Sequence, residues 1–300
     1  MKENINCQWR VAARPEGNVE LSDFEYREEA IPQAGDGEFL LRTLYLGVRP
    51  VMRMYMQGMA VAGETPLAIG AVIHGRGVAQ VVESNHPDYA AGDIVNGQIG
   101  WQTWKVSRGM ASERFIKMQA NGAPCIYGAG ATGMNGFSAY SGLVECGKPR
   151  PGETVLVSAA AGGVGSTVVQ IARILDCRVI GIAGGAAKCA LVESLGADTC
   201  VDYKSEPLEE RIAALCPEGI DIYFENVGGP QLEAALEAMK PWGRIPICGM
   251  ISNYNDHGEP SPGPRNLTAT IYKHVCLRGF VVSEFEDMRD DFINDVSGWI

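Results

Sequence analysis

No apolar run in the 300-residue sequence approaches the ~18 residues that a membrane-spanning helix needs. The opening MKENINCQWR lacks the apolar core of a secretory leader. No C-x-x-C pair occurs among the nine cysteines (Cys7, Cys125, Cys146, Cys177, Cys189, Cys200, Cys216, Cys248 and Cys276). An odd number of scattered cysteines, several inside apolar runs, argues for reduced buried thiols and a cytoplasmic protein rather than a disulfide framework. Excess positive charge is missing too. The formal net charge is −11 and the isoelectric point about 4.9, so a nucleic-acid or anionic-membrane partner is not expected.

What remains is ordinary globular material. The chain is 46% hydrophobic and 20% charged, enough for a sizeable core in one large or two medium domains. The first 125 residues or so read as strands and turns: FLLRTLYLGV, then VAQVVES followed by NHPDYAAGD, then IVNGQIGWQTWKVS broken by glycine. From about Pro151 the pattern alternates. TVLVS, CRVIGIA, DTCVDY, DIYFENV and RIPICGM read as strands, and amphipathic helical segments lie between them. That alternation predicts βαβ units and a parallel sheet with helices on both faces. KHVCLRGFVVSEF reads as one more strand, and YNDHGEPSPGPRNLT (254–268) as a loop. The expected fold class is α/β with a β-rich front domain, the division falling near residues 120 to 135. We place it as 1–128 and 129–300.

Between TVLVS and the next helix stands SAAAGGVGSTVVQ, with Ala160, Gly162 and Gly165 at the three positions of a G-x-G-x-x-G pattern. Small residues there let the backbone approach a pyrophosphate, which the N–H groups and positive dipole end of the helix then receive. A tight strand-to-helix turn with no ligand is the plainer alternative, and the successive βα units favour the dinucleotide. A site for the unphosphorylated coenzyme usually sets an acid about 20 residues past the glycines, on the ribose. Here that place reads GIAGGAAKC, with no acid and with Lys188 as the nearest charge. This predicts NADP(H), with Lys188 either the 2′-phosphate contact or a solvated helix lysine.

SAAAGGVGSTVVQIA, CRVIGIAGGAAKC, VDYKSE, GIDIYFENVGG, CGMISNYN and LRGFVVSEF, with WRVAARPEG and VVESNHPDY nearer the front, resemble the zinc-independent medium-chain dehydrogenases/reductases. Within them the sequence is most similar to the leukotriene B4 dehydrogenase, prostaglandin reductase and alkenal double-bond reductase group, the bacterial NADPH-dependent curcumin reductase type above all. The resemblance implies an N-terminal GroES-like β domain holding substrate, a Rossmann domain holding NADP, and an active site in the cleft between them. It implies NADPH-dependent reduction of the C=C bond of α,β-unsaturated ketones and aldehydes, by hydride transfer to the β-carbon, and a homodimer through the Rossmann sheet edge near 270–282.

Carried over, the resemblance assigns Gly162, Gly163, Val164 and Gly165 to the pyrophosphate, and Lys188 and Tyr203 to the 2′-phosphate. Asn226 and the run Cys248 to Tyr254, Ile251 included, lie along the nicotinamide, and Phe280 to Val282 close over it. Tyr254, a phenol in a loop, is the candidate donor to the substrate carbonyl, with a loop-anchoring role as its alternative. No zinc is expected. His74 is followed by Arg76 without a glutamate, and LYLGVRP and GATGMNGFSAY lack the cysteine ligands.

The sequence departs from the family where Arg49-Pro50-Val51-Met52-Arg53 stands in place of Asp-Pro-Tyr-Met-Arg. Loss of that tyrosine from the pocket wall is expected to widen the pocket, with Tyr55 a candidate replacement. Family members also run longer at the C-terminal end, so the chain reads as truncated there. Two further readings stay open: an NADPH quinone oxidoreductase, and an NADP-binding scaffold without turnover.

Overall fold

The computed structural model describes residues 5–60, 65–118, 124–256 and 261–300. Residues 120–123 of the expected boundary region and 257–260 of the expected loop lie outside them. The chain divides into two compact units, Met1–Met134 and Asn135–Ile300.

The first unit is antiparallel. Its strands are β1 (Asn6–Val11), β2 (Phe24–Glu29), β3 (Phe39–Leu46), β4 (Arg76–Ser84), β5 (Ile94–Gln98), β6 (Trp104–Ser107) and β7 (Ile116–Lys117). One short helix, α1 (Met52–Met56), interrupts them. β1 and β2 form a hairpin-like pair, and the other five form a sheet in the order β6-β3-β4-β5-β7. Alternation along β3 and β4 turns Phe39, Leu41, Ala79 and Val81 into one core cluster with Val95 and Ile99. Within IVNGQIGWQTWKVS the strand does break. Gly97 has no room for a β-carbon, which would meet the Phe115 ring at 2.3 Å.

The second unit carries a six-stranded sheet, ordered β10-β9-β8-β11-β12-β13, in which every pair is parallel. The strands are β8 (Thr154–Val157), β9 (Arg178–Ala183), β10 (Thr199–Asp202), β11 (Ile220–Phe224), β12 (Met239–Ile247) and β13 (Cys276–Gly279). The helices are α2 (Met134–Ser141), α3 (Gly163–Ile174), α4 (Ala186–Ser194), α5 (Leu208–Leu215), α6 (Gly229–Ala238), α7 (Ala269–Tyr272) and α8 (Arg289–Trp299). β8 reads TVLV and every residue in it is buried, as a strand covered on both faces requires. Two core clusters fill those faces. One joins Val155, Val157, Val168 and Phe292, and the other Leu156, Ile180, Leu232 and Tyr223. The strand order is that of the doubly wound dinucleotide-binding fold, with its switch point between β8 and β11.

One local expectation fails, and one element was not foreseen. KHVCLRGFVVSEF is not one strand: β13 stops at Gly279, and Val282–Met288 forms 3-10 turns that bury Phe285 beside the Phe280 ring. An apolar alternation of this length fits a strand and a turn equally well. The second is a miss. GMNGFSAYSGLVECG forms α2 and a π-helical continuation over Gly142–Gly147, hidden from a periodicity reading by its glycines. Gly142 is needed there, because a β-carbon would sit 2.4 Å from the Phe280 ring.

Candidate functional site

All six parallel strands point the same way, so the segments that follow them emerge along one edge of the sheet. The sequence of loops along that edge is fixed by the strand order. The residues after β9 and β10 come first, the glycine turn after β8 in the middle, and the residues after β11 and β12 beyond it.

The glycine turn is built for close approach. Ala159 takes a left-handed backbone (φ +46°) and its carbonyl turns toward the helix. A β-carbon on Gly165 would lie 2.3 Å from that carbonyl oxygen, so the first turn of α3 seats against the end of β8 only with glycine there. Gly162, the N-cap, and Gly163 are exposed, and no side chain caps the helix. The first-turn N–H groups therefore face outward without an internal acceptor from the cap residue. Val164 is half-buried on the core. Asn135 leans over Gly163, its Nδ2 lying 2.4 Å from where a β-carbon would be.

At the end of β9, Gly184 lies beneath the Tyr203 ring and the Lys204 stem, which a β-carbon would meet at 2.9 and 3.0 Å. Gly185 begins α4 with φ +100°. The Lys188 ammonium, on an exposed residue in the first turn of α4, has no hydrogen-bond or ion-pair partner among the described residues. Tyr203 and Lys204 thus pack over Gly184 at the corner where α4, the helix that carries Lys188, begins. Asp202 stands in the same corner as an acid that the sequence reading did not weigh. Its Oδ1 accepts from the Gly185 N–H at 2.7 Å and the Lys204 N–H at 3.1 Å, and its Oδ2 from the Ser205 hydroxyl at 2.9 Å. The Gly185 N–H, first among these, holds its carboxyl below the usual range. The acid is thus engaged by the loop's own N–H groups rather than left to receive a ribose.

On the other side of the switch point, a buried polar cluster ties β8 to β11. The Ser158 hydroxyl donates to Glu225 Oε1 at 2.9 Å and accepts from the Asn226 N–H at 2.7 Å. Asn226 Nδ2 donates to the Ser158 carbonyl at 2.8 Å, and the Val227 N–H to Glu225 Oε1 at 2.6 Å. Glu225 is fully buried, and burial raises its pKa against the partial offset of these bonds. The Asn226 carbonyl in turn accepts from the Ile251 N–H at 3.2 Å. Cys248 follows β12 directly, its N–H bonded to the Glu225 carbonyl at 2.9 Å, and burial pushes its thiol up to about 12. The Tyr254 hydroxyl lies over Gly249, 3.1 Å from the place of a β-carbon, and burial raises the phenol's pKa, so it stays protonated at neutral pH.

Asn226, Cys248, Ile251 and Tyr254 are therefore brought together. Phe280 and Val282 are half-buried. Phe280 packs edge-on against Phe224 and Phe285, and both residues lie on the core cluster of their unit. Sequence reasoning missed Ser158, Glu225, Asp202 and Lys204. For the two acids the signal was their place at strand ends, one residue before a loop.

A dinucleotide fits these residues: a bare helix N-terminus, a contact that only glycine permits, and an exposed lysine whose ammonium has no partner among the described residues. Fold and site together define a two-domain, dinucleotide-dependent oxidoreductase. Residues 7–115 match the family profile described as the N-terminal domain of oxidoreductase, and residues 163–297 that described as zinc-binding dehydrogenase. The NADPH-dependent curcumin reductase of Escherichia coli is 40% identical over 98% of this chain and 86% of its own length. Prostaglandin reductase 1 of Bos taurus is 39% identical over 97% and 87%. The crystal structure of CurA in complex with NADPH from Vibrio vulnificus, 37% identical, superposes with a TM-score of 0.90 over 98% of this chain and 87% of that one. The chain belongs to the medium-chain dehydrogenase/reductase family, in the group of the curcumin, prostaglandin and alkenal reductases.

Despite the profile's description, no three His, Cys, Asp or Glu side chains gather into a metal-binding group among the described residues. His74 Nε2 lies 3.0 Å from the Thr65 carbonyl, and its ring packs edge-on against Tyr55.

Proposed function

We propose that this protein reduces the C=C bond of α,β-unsaturated ketones and aldehydes with NADPH and without a metal, the domain expected over residues 1–128 holding substrate and that over 129–300 the cofactor. The observation that carries the reading is the sequence of sites along the sheet edge. A lysine corner, a glycine turn and a phenol-bearing loop succeed one another as the adenosine phosphate, diphosphate and nicotinamide of NADP do.

NADPH, when bound, supplies a hydride. Gly162 to Gly165 present helix N–H groups to the diphosphate, and Lys188 and Tyr203 receive the 2′-phosphate. Asn226, fixed from both its N–H and its side chain, holds the rim of the nicotinamide side in place. As the β-carbon is reduced, negative charge grows on the substrate carbonyl oxygen, and a neutral phenol is a suitable donor to it. Tyr254 fills that role because burial keeps its proton on. The α-carbon takes its proton from water.

Tyr254→Phe is expected to lower kcat about a hundredfold, the scale of losing one oxyanion donor, while the dissociation constant for NADPH stays within twofold. Steady-state oxidation of NADPH with an enone panel, paired with a fluorescence titration, reads both. Unchanged kcat removes Tyr254 from the chemistry, and 1,4-quinones reduced faster than every enone and enal would favour the quinone reductase reading.

A further inference from the structure

Asp202 ties together the two segments that carry Lys188 and Tyr203. It ends β10 and pairs in register with Ala183, the last residue of β9. It therefore stands one strand away from the place where a site for the unphosphorylated coenzyme sets its own acid. Its Oδ1 accepts from the Gly185 N–H at 2.7 Å on one side and from the Lys204 N–H at 3.1 Å on the other. From each of these donors a second bond runs on. The Gly185 carbonyl accepts from the Lys188 N–H at 3.0 Å, in the first turn of α4. Lys204 follows Tyr203 directly, and the Tyr203 N–H donates to the Ala183 carbonyl at 3.2 Å. The Asp202 N–H is itself held by Glu206 Oε1 at 3.0 Å. One carboxylate oxygen is thus the joint between the start of α4 and the turn after β10.

A corner that receives a phosphate needs donors held at a set spacing and no unanswered negative charge beside them. The shared oxygen meets the first need, because Gly185 and Lys204 cannot shift apart without breaking a bond to it. The charge is answered by the Gly185 and Lys204 N–H groups and by the Ser205 hydroxyl, which donates to Oδ2 at 2.9 Å. We propose that Asp202 is a positioning residue for coenzyme selectivity: by bridging Gly185 and Lys204 it holds Lys188 and Tyr203 at the spacing that a 2′-phosphate requires. This rests on the NADP reading above. An acid that received a ribose 2′-hydroxyl would instead favour the unphosphorylated coenzyme, and its removal would act with the opposite sign.

The test is calorimetric titration of the full chain with adenosine 2′,5′-bisphosphate and with adenosine 5′-monophosphate. The ratio of the two dissociation constants isolates the 2′-phosphate and needs no turnover. The wild type is expected to bind the bisphosphate at least about tenfold more tightly, the scale of a charge-assisted contact. Asp202→Ala cuts that ratio about fivefold, the scale of one hydrogen bond, while affinity for the monophosphate stays within about twofold and shows that the variant is folded. Asp202→Glu keeps the charge but moves the oxygens by one methylene, and it lowers the ratio in the same sense, which covers the case of an alanine variant that does not fold. Asp202→Asn keeps an oxygen for both N–H groups and loses the charge, so it retains most of the ratio. A ratio that rises in Asp202→Ala and Asp202→Glu, or that is unchanged because both nucleotides bind as before or weaken equally, overturns the proposal and leaves the NADP reading standing. A wild-type ratio near one overturns that reading before any variant is made, and the proposal falls with it.

Discussion

Glu225 holds the switch point together from a position with no access to water. Its Oε1 gathers the Ser158 hydroxyl and the Val227 N–H, and Ser158 in turn positions Asn226. Burial raises its folded pKa above the value near 4.3 of an unfolded glutamate. The folded protein therefore holds this proton to higher pH than the unfolded chain does. The stability tied to Glu225 is complete below the unfolded value and is lost as pH rises through the folded one. Thermal melts of wild type and Glu225→Gln from pH 4.5 to 8 are expected to shift in the variant's favour as pH rises, the other carboxylates cancelling in the difference. A difference constant across that range contradicts the assignment. At this scale the sequence showed unevenly. Gly162 and Gly165 stood out because motif spacing marks them, Lys188 as the nearest charge where an acid is lacking, and Tyr203 through the family resemblance alone. Ser158 and Glu225 act through a contact between β8 and β11, 67 residues apart, which no local pattern records.

The helix that opens the proposed cofactor site depends on one glycine. Gly165 faces the Ala159 carbonyl, a fixed backbone atom, and α3 cannot accept a methyl there without moving off β8. Gly165→Ala is expected to cost about 2–4 kcal/mol, in the range of core overpacking and beyond, and to abolish NADPH binding. Denaturant melts check the first, and a destabilisation below about 0.5 kcal/mol would show that the packing is looser than described. Elements from β8 to β12 were readable because short buried strands and amphipathic helices alternate without ambiguity. The segment after Gly279 was not, since VVSEF suits either a strand or a tight turn until tertiary packing buries Phe285. The short α1 and the glycine-laden α2 gave too few turns for a period to appear.

At the scale of the whole molecule the argument is one of order. Six parallel strands, wound from a switch point, set three chemically distinct loops side by side: cationic, glycine-lined and phenolic. Composition foretold none of that. The βα alternation foretold the sheet, and the absence of an acid after β9 foretold which coenzyme it serves. What composition and pattern left dark was the first unit, where irregular loops join antiparallel strands. The central claim is that this edge binds the phosphorylated coenzyme. Fluorescence titration of the wild type and of Lys188→Ala with NADPH and NADH tests it most directly. The account predicts that the wild type binds NADPH at least about tenfold more tightly than NADH, as a charge-assisted phosphate contact would give, and that Lys188→Ala narrows the gap. No binding of NADPH at millimolar concentration, or a preference for NADH, would contradict it.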